Sequence, residues 1–254
     1  MKNRKIILIS IIVSSLILSG LIIYANFKIN QGIDENNTEE SKLKEDVYSE
    51  LGLIDPFVVE NDGKNVDHMQ TIHRVNFEKL ENLTECPDFH MDVNKADMEH
   101  FLDSVIQEWQ PNDWEKQDDQ YYVINYTDGT SGYSRDMVYY SLSSLNSSST
   151  MHLNITIDYD AVSDRIHNIS FMLPYAENTK EAFTKIMVYL GIENVDAEKD
   201  FDKMYNGVRK LGNNEHVKHK AHGYSFYMSE YDFGNVKEDK CYYMSISVTG
   251  TLDE

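Results

Sequence analysis

The sequence predicts an α+β domain, an antiparallel β-sheet with amphipathic helices packed on one face, preceded by an N-terminal transmembrane helix. Three observations carry this expectation: a long uncharged run at the start, three segments whose apolar residues recur with helical period, and a series of Tyr-, Val-, Ile- and Thr-rich segments of period two.

The uncharged run extends from Ile6 to Ala25, and 13 of its 20 residues are Ile, Leu or Val. At about 1.5 Å per residue it reaches roughly 30 Å, the thickness of a bilayer core. Lys2, Arg4 and Lys5 precede it, whereas Lys28 alone follows before Asp34, Glu35, Glu39 and Glu40. That asymmetry keeps the amino end in the cytoplasm and places the remainder outside. A cleaved signal peptide is the alternative, with secretion as its consequence. The apolar core of such a peptide is shorter, about 7–15 residues, and Leu18-Ser19-Gly20 and Ile23-Tyr24-Ala25 fit the small-residue cleavage rule poorly. Residues 1–28 are therefore read as a signal-anchor that attaches the protein to the membrane through residues 6–25.

Residues 29–46 are polar and mostly acidic and read as a solvated stalk. The folded part is expected over 47–254, as one domain or as two related modules of about 47–174 and 175–254. A weak echo between Gly132-Tyr133-Ser134 and Gly223-Tyr224-Ser225 is the only sign of such a duplication.

The clearest helix is 95–110, where Met98, Phe101, Leu102, Val105, Ile106 and Trp109 line one face, Asn94 caps the start and Pro111 ends it. A second, 179–190, follows Asn178 and presents Ala182, Phe183, Ile186, Met187 and Leu190. A third, 195–211, follows Asn194, presents Ala197, Phe201, Met204, Val208 and Leu211, and stops at Gly212. Strands are expected at 120–126, 137–142, 151–159, 165–173, 224–231 and 242–249, with turns at Asp128-Gly129 and at 160–164. In the third strand Met151, Leu153, Ile155 and Ile157 alternate with His152, Asn154, Thr156 and Asp158, the pattern of a sheet with one covered and one wetter face.

Composition excludes some functions. The whole chain carries a formal −20, and because residues 1–28 hold four cations and no acid, the exported part carries −24. It lacks the basic footprint that nucleic acid requires, and its field favours cationic partners. Cys86 and Cys241 are disulfide candidates, since the exported side permits oxidation; the bridge would close more than 150 residues and be worth roughly 4–5 kcal/mol on the chain-entropy model. Two separate buried thiols are the alternative. Lys-, Asn- and Ile-rich usage points to an AT-rich bacterial genome, so the Asn-x-Ser/Thr triplets are discounted as glycosylation sites.

No residue pattern implies a cofactor. His216, His219 and His222 are the metal candidates, but in a strand His216 and His222 share a face while His219 points away, and Lys218 and Lys220 repel a cation. That segment reads as a solvated loop or strand start. Asp67, His68, His73, His90 and Asp92 supply ligand types without zinc-enzyme spacing. No Gly-x-Ser-x-Gly is present, and Glu85 and Asp88 around Cys86 raise a thiol pKa rather than depress it. No phosphate-cradling glycine pattern occurs.

Seventeen tyrosines include the pairs Tyr121-Tyr122, Tyr139-Tyr140 and Tyr242-Tyr243. In a strand one member of each pair faces the core and the other faces away, which makes Tyr122, Tyr140 and Tyr243 the binding candidates. The function expected from anchor, stalk and sheet is a non-catalytic binding module of the bacterial cell envelope with a protein or envelope-component partner. The alternatives are an envelope hydrolase or metal-dependent enzyme, and a sensor or immunity-type membrane protein.

Overall fold

The computed structural model describes residues 38–56, 66–81, 83–86, 90–109, 114–117, 119–141, 154–212, 215–232 and 240–248. Residues 1–37, with the expected membrane run and the first half of the stalk, lie outside this set. Among the described residues no helix is long and apolar enough to cross a membrane.

In chain order the elements are α1 (Thr38–Leu51), β1 (Val66–Ile72), α2 (Arg74–Phe77), α3 (Lys95–Trp109), β2 (Trp114–Lys116), β3 (Gln120–Tyr126), β4 (Ser131–Ser141), β5 (Asn154–Asp160), β6 (Ile166–Pro174), α4 (Ala176–Tyr189), α5 (Asn194–Leu211), β7 (His216–Ala221), β8 (Tyr224–Asp232) and β9 (Lys240–Val248). All nine strands form one sheet in the order β1-β3-β4-β5-β6-β9-β8-β7, with β2 beside the far end of β4. Every pairing is antiparallel. The α+β class and the large antiparallel sheet are thus as expected. The segments on either side of residue 174 share this sheet, because β6 pairs with β9 from Asn168↔Ser247 to Pro174↔Cys241.

The core follows strand parity. Met137 and Tyr139 of β4, Ile155, Ile157 and Tyr159 of β5, Phe171 and Leu173 of β6, Met244 and Ile246 of β9, and Phe226 and Met228 of β8 point to one side. There they meet Met98 and Leu102 of α3, Phe183 and Ile186 of α4, and Phe201, Met204 and Val208 of α5. Phe183 joins the layers, 5.2 Å from the Phe226 ring and 6.0 Å from Phe201. Phe101 of α3 stacks on Tyr189 of α4 at 4.2 Å.

Several elements differ from expectation. Helix α1 begins at Thr38, inside the segment read as stalk. It buries Val47 and Tyr48, together with Leu53 just beyond its end, packs Leu51 against the core and leaves Leu43 exposed, and Tyr48 Oη donates to His216 O. Asn94 caps α3 as expected, its Oδ1 accepting Asp97 N–H. Asn178 caps nothing, since α4 starts at Ala176, and Asn194 is already the first residue of α5. The Gly-Tyr-Ser echo is not structural: Gly132 lies within β4, whereas Gly223 sits in the β7–β8 turn at φ +80°. Strands β1, β2 and β7 are additional.

Cys86 and Cys241 are two buried thiols. Cys86 packs against Gly132 on β4, and Cys241 lies on β9, three strands away in the sheet order. Three interstrand steps are about 14 Å, twice the Cα separation that a disulfide spans. The bridge is therefore not formed.

Candidate functional site

The face of the sheet turned away from α3, α4 and α5 gathers polar and tyrosine side chains. Register places Tyr122 opposite Ser134, Asp136 opposite Asp158, Tyr140 opposite Asn154, and Tyr243 between Met172 and Ser229. Tyr122, Tyr140 and Tyr243 therefore share one face, with Tyr227 and Tyr231 of β8 on it as well. Tyr140 is placed by its backbone register alone. Tyr122 is buried and donates its hydroxyl to Gln120 Oε1 at 2.8 Å. Burial is the first cause that pushes the Tyr243 hydroxyl up to about 12, against the hydroxyls of Ser170 and Ser245.

At the middle of this face Asp136 and Asp158 are cross-strand neighbours hydrogen-bonded to each other. Burial, and then the charge of Asp158, pushes the Asp136 carboxyl well above the ordinary carboxylate value; burial raises Asp158 too. Two carboxylates in this arrangement share a proton. Asn168 Nδ2 donates to Asp158 Oδ2 at 2.8 Å, and Tyr122 bonds Asp136.

A second cluster lies at the end of the same face. The chain leaving Thr84 crosses from β4 to β6: Tyr133 N–H donates to Thr84 O, Cys86 N–H donates to Asp160 Oδ2 at 2.6 Å, and Met91 N–H donates to Ile166 O. Gly132 makes the crossing fit, because a Cβ there would stand 2.6 Å from Cys86 Cα and 2.8 Å from its Sγ. On β6 a bulge sets Tyr159 opposite Ile166 while Asp158 faces Asn168, so His167 is the extra residue. Cys86, Asp160 and His167 consequently bring one ligand atom each to within 4.8 Å of one another. The His90 ring lies 4.4 Å from the His167 ring.

This cluster is unsuited to nucleophilic catalysis. Cys86 is 2% exposed. Asp160 does not orient a histidine either: Oδ1 accepts Val162 N–H, Ser163 N–H and the Ser163 hydroxyl, and Oδ2 accepts Cys86 N–H. Burial opposes its charge, but these donors outweigh burial and hold the carboxyl below its usual value. Its residue types fit a metal ion better.

Of the three histidines expected as metal candidates, His219 and His222 meet at Asp200 and His216 does not join them. His216 lies on the tyrosine face, whereas His219 points to the helix side, its Nε2 3.0 Å from Asp200 Oδ1. His222 has left the strand for a turn at φ 54°, and its Nε2 reaches Asp200 Oδ2 at 3.1 Å. The segment is thus strand β7 and its turn. Lys203 Nζ, 3.4 Å from His219 Nδ1, donates to that nitrogen and leaves the ring proton on Nε2 facing Asp200. A lysine at one imidazole nitrogen and a carboxylate at the other leave no lone pair for a metal.

A cavity of about 200 Å³ on the helix side is ringed by Arg74, Lys95, Lys116 and Arg135 around Asp119. Asp119 uses the inner cations itself, accepting from Arg135 at 2.7 Å, Lys95 at 3.2 Å and the Tyr159 hydroxyl at 2.7 Å. Burial raises its carboxyl, but Tyr159 and the two cations prevail and lower it.

Sequence reasoning did not join Asp160, His167 and Gly132 to Cys86 and His90, because they meet only through the crossing segment and the bulge. The Asp136 and Asp158 pair left one signal, polar residues at alternate positions of two strands. Comparison with protein-family models, curated proteins and solved structures finds no match, so the site stands on its own geometry.

Proposed function

We propose that this chain is a membrane-anchored, extracytoplasmic, non-catalytic binding module of the bacterial cell envelope, and that it takes a protein partner on the tyrosine-bearing face of its sheet. The observation that carries the reading is the common register of Tyr140 and Tyr243, joined by the half-buried Tyr227 and Tyr231, with the buried Tyr122 in the same register. Tyrosines offer contact area and a hydroxyl at small entropic cost and are enriched at recognition surfaces. Serine, asparagine and carboxylate neighbours supply directional bonds. The excess of acids favours a partner with a cationic contact surface. Anchoring through residues 6–25 holds the domain near the membrane, and the burial of Cys86 argues against a hydrolase.

The test is site-specific photo-crosslinking of the full chain in its native membrane. A benzophenone residue at Tyr140 or Tyr243 is expected to capture one discrete polypeptide, while the same residue at Val188 or Val195, exposed on α4 and α5, captures none. Equal capture at all four positions, or none at either tyrosine, refutes the reading. Release of the chain from membranes by alkaline carbonate would separately refute the anchor.

A further inference from the structure

We propose that Cys86, Asp160, His167 and His90 form a structural site for a borderline divalent metal ion, with zinc as its natural occupant. The thiol sulfur, one carboxylate oxygen and one imidazole nitrogen already lie within 4.8 Å of one another, and the centroid of the second imidazole, tilted by 34°, lies 4.4 Å from that of the first. Ligands held about 2.0–2.3 Å from a tetrahedral zinc are roughly 3.3–3.8 Å apart, so small side-chain adjustments close the set. Sulfur, nitrogen and carboxylate oxygen together are the donor types of zinc, whereas a hard cation such as calcium takes oxygen alone.

Four features of the fold serve this arrangement. Gly132 admits the Cys86 backbone where any Cβ would collide. The β6 bulge adds His167 to the strand at the point where Asp160 ends β5. Asp160 Oδ1 is fixed by the amides of Val162 and Ser163 and by the Ser163 hydroxyl, which directs Oδ2 toward Cys86. Bonds from Tyr133 and Met91 hold both ends of the crossing segment on the sheet. Supporting bonds of this kind orient metal ligands and are a regular part of such sites.

Charge agrees with the assignment. On binding, the Cys86 thiol loses its proton to solvent as the metal–sulfur bond forms. The resulting thiolate and the Asp160 carboxylate then neutralise a 2+ ion beside two neutral imidazoles. With four protein ligands no position is left for water, so the ion clamps the crossing segment to β5 and β6 rather than performing chemistry. Because the ligands come from residues 86, 90, 160 and 167, metal binding is linked to the folded state and raises thermal stability.

The experiment is cobalt and zinc titration of the purified full chain. One equivalent of cobalt is expected to give intense tetrahedral ligand-field bands together with a sulfur-to-cobalt charge-transfer band, and zinc is expected to displace it. Cys86→Ser should abolish the charge-transfer band. His167→Ala should weaken zinc affinity by more than the ~10- to 100-fold that loss of an outer partner costs, while Cys241→Ser and His222→Ala leave spectrum and affinity unchanged. A wild-type cobalt spectrum without the sulfur band overturns the proposal, and it does so even where a variant fails to fold. A band that survives Cys86→Ser and disappears with Cys241→Ser overturns it too, as does unchanged zinc affinity in a folded His167→Ala.

Discussion

The two faces of the sheet are made by alternate residues of the same strands, yet they treat polar atoms differently. On the helix side the buried charges are enclosed by partners: Glu230, 1% exposed, is bonded by Lys240 and Arg209, and Asp200 lies between His219 and His222. On the other side polar groups occur at almost every position and bond sideways along the sheet, as Asn168 does to Asp158 and Ser245 to Asn168. The first arrangement makes stability from apolar volume; the second gives up part of that stability and retains hydroxyls, amides and carboxylates in fixed register.

The largest test of this contrast is to delete volume on one face and a hydroxyl on the other. Phe183 is fully buried between Phe201 and Phe226, and Phe183→Ala is expected to cost about 3–5 kcal/mol in denaturant melts. Tyr243→Phe, which keeps the ring and loses only the bonds to Ser170 and Ser245, is expected to cost roughly 0.5–1.5 kcal/mol. Similar losses would show that the tyrosine face is a second core.

How much of this was legible follows the same contrast. Helix α3, the cores of α4 and α5, and strands β3, β5, β6, β8 and β9 were readable because burial on one side imposes a period. Strand β1 buries little, its Met69 being 52% exposed, and so leaves no alternation in Val66–Ile72. Strand β7 was obscured because its inward residue at 219 is a histidine, acceptable there only because Asp200 and Lys203 are supplied by α5. In α1 the apolar residues Leu43, Val47, Tyr48 and Leu51 are spaced as on one helix face, but seven acids and lysines among them mask the spacing. The Cys86 cluster depends on a bulge and on the missing Cβ of Gly132, and neither has a sequence period.

An intermediate effect is expected at the carboxylate pair. An acid whose folded-state pKa lies above its unfolded value costs stability, and the cost grows as pH rises through the ordinary carboxylate value toward the raised one. Asp136 is such a group, through burial and the neighbouring Asp158. Asp136→Asn replaces the shared proton with an amide donor to Asp158, so it is expected to stabilise the protein at pH 8 by about 1–2 kcal/mol. At pH 3, where both carboxyls are protonated, the variant should match the parent. A destabilised variant at pH 8 would mean that the pair is ionised and bound to a cation.

The smallest effect sets one histidine of each face against the other. Burial lowers His219 below its ordinary value of 6.5, with Lys203 and His222 acting the same way and Asp200 opposing them. Burial likewise lowers His216, with Lys44 assisting and Glu215 opposing. Where the folded pKa is the lower one, the unfolded chain binds more protons, so stability is full above pH 6.5 and is lost as pH falls from 6.5 through the folded value. Melts between pH 7.5 and 5 should therefore show a falling midpoint, and His219→Gln and His216→Gln should each flatten part of the slope. His219 is hydrogen-bonded to a carboxylate that favours its charged form, so burial there is partly cancelled; at His216 the opposing influence is the charge of Glu215, without a hydrogen bond. The His216 variant is thus expected to remove the larger share, by a few tenths of a kcal/mol in the difference. A larger share lost in His219→Gln would place the stronger desolvation on the helix side and reverse the order of the two faces.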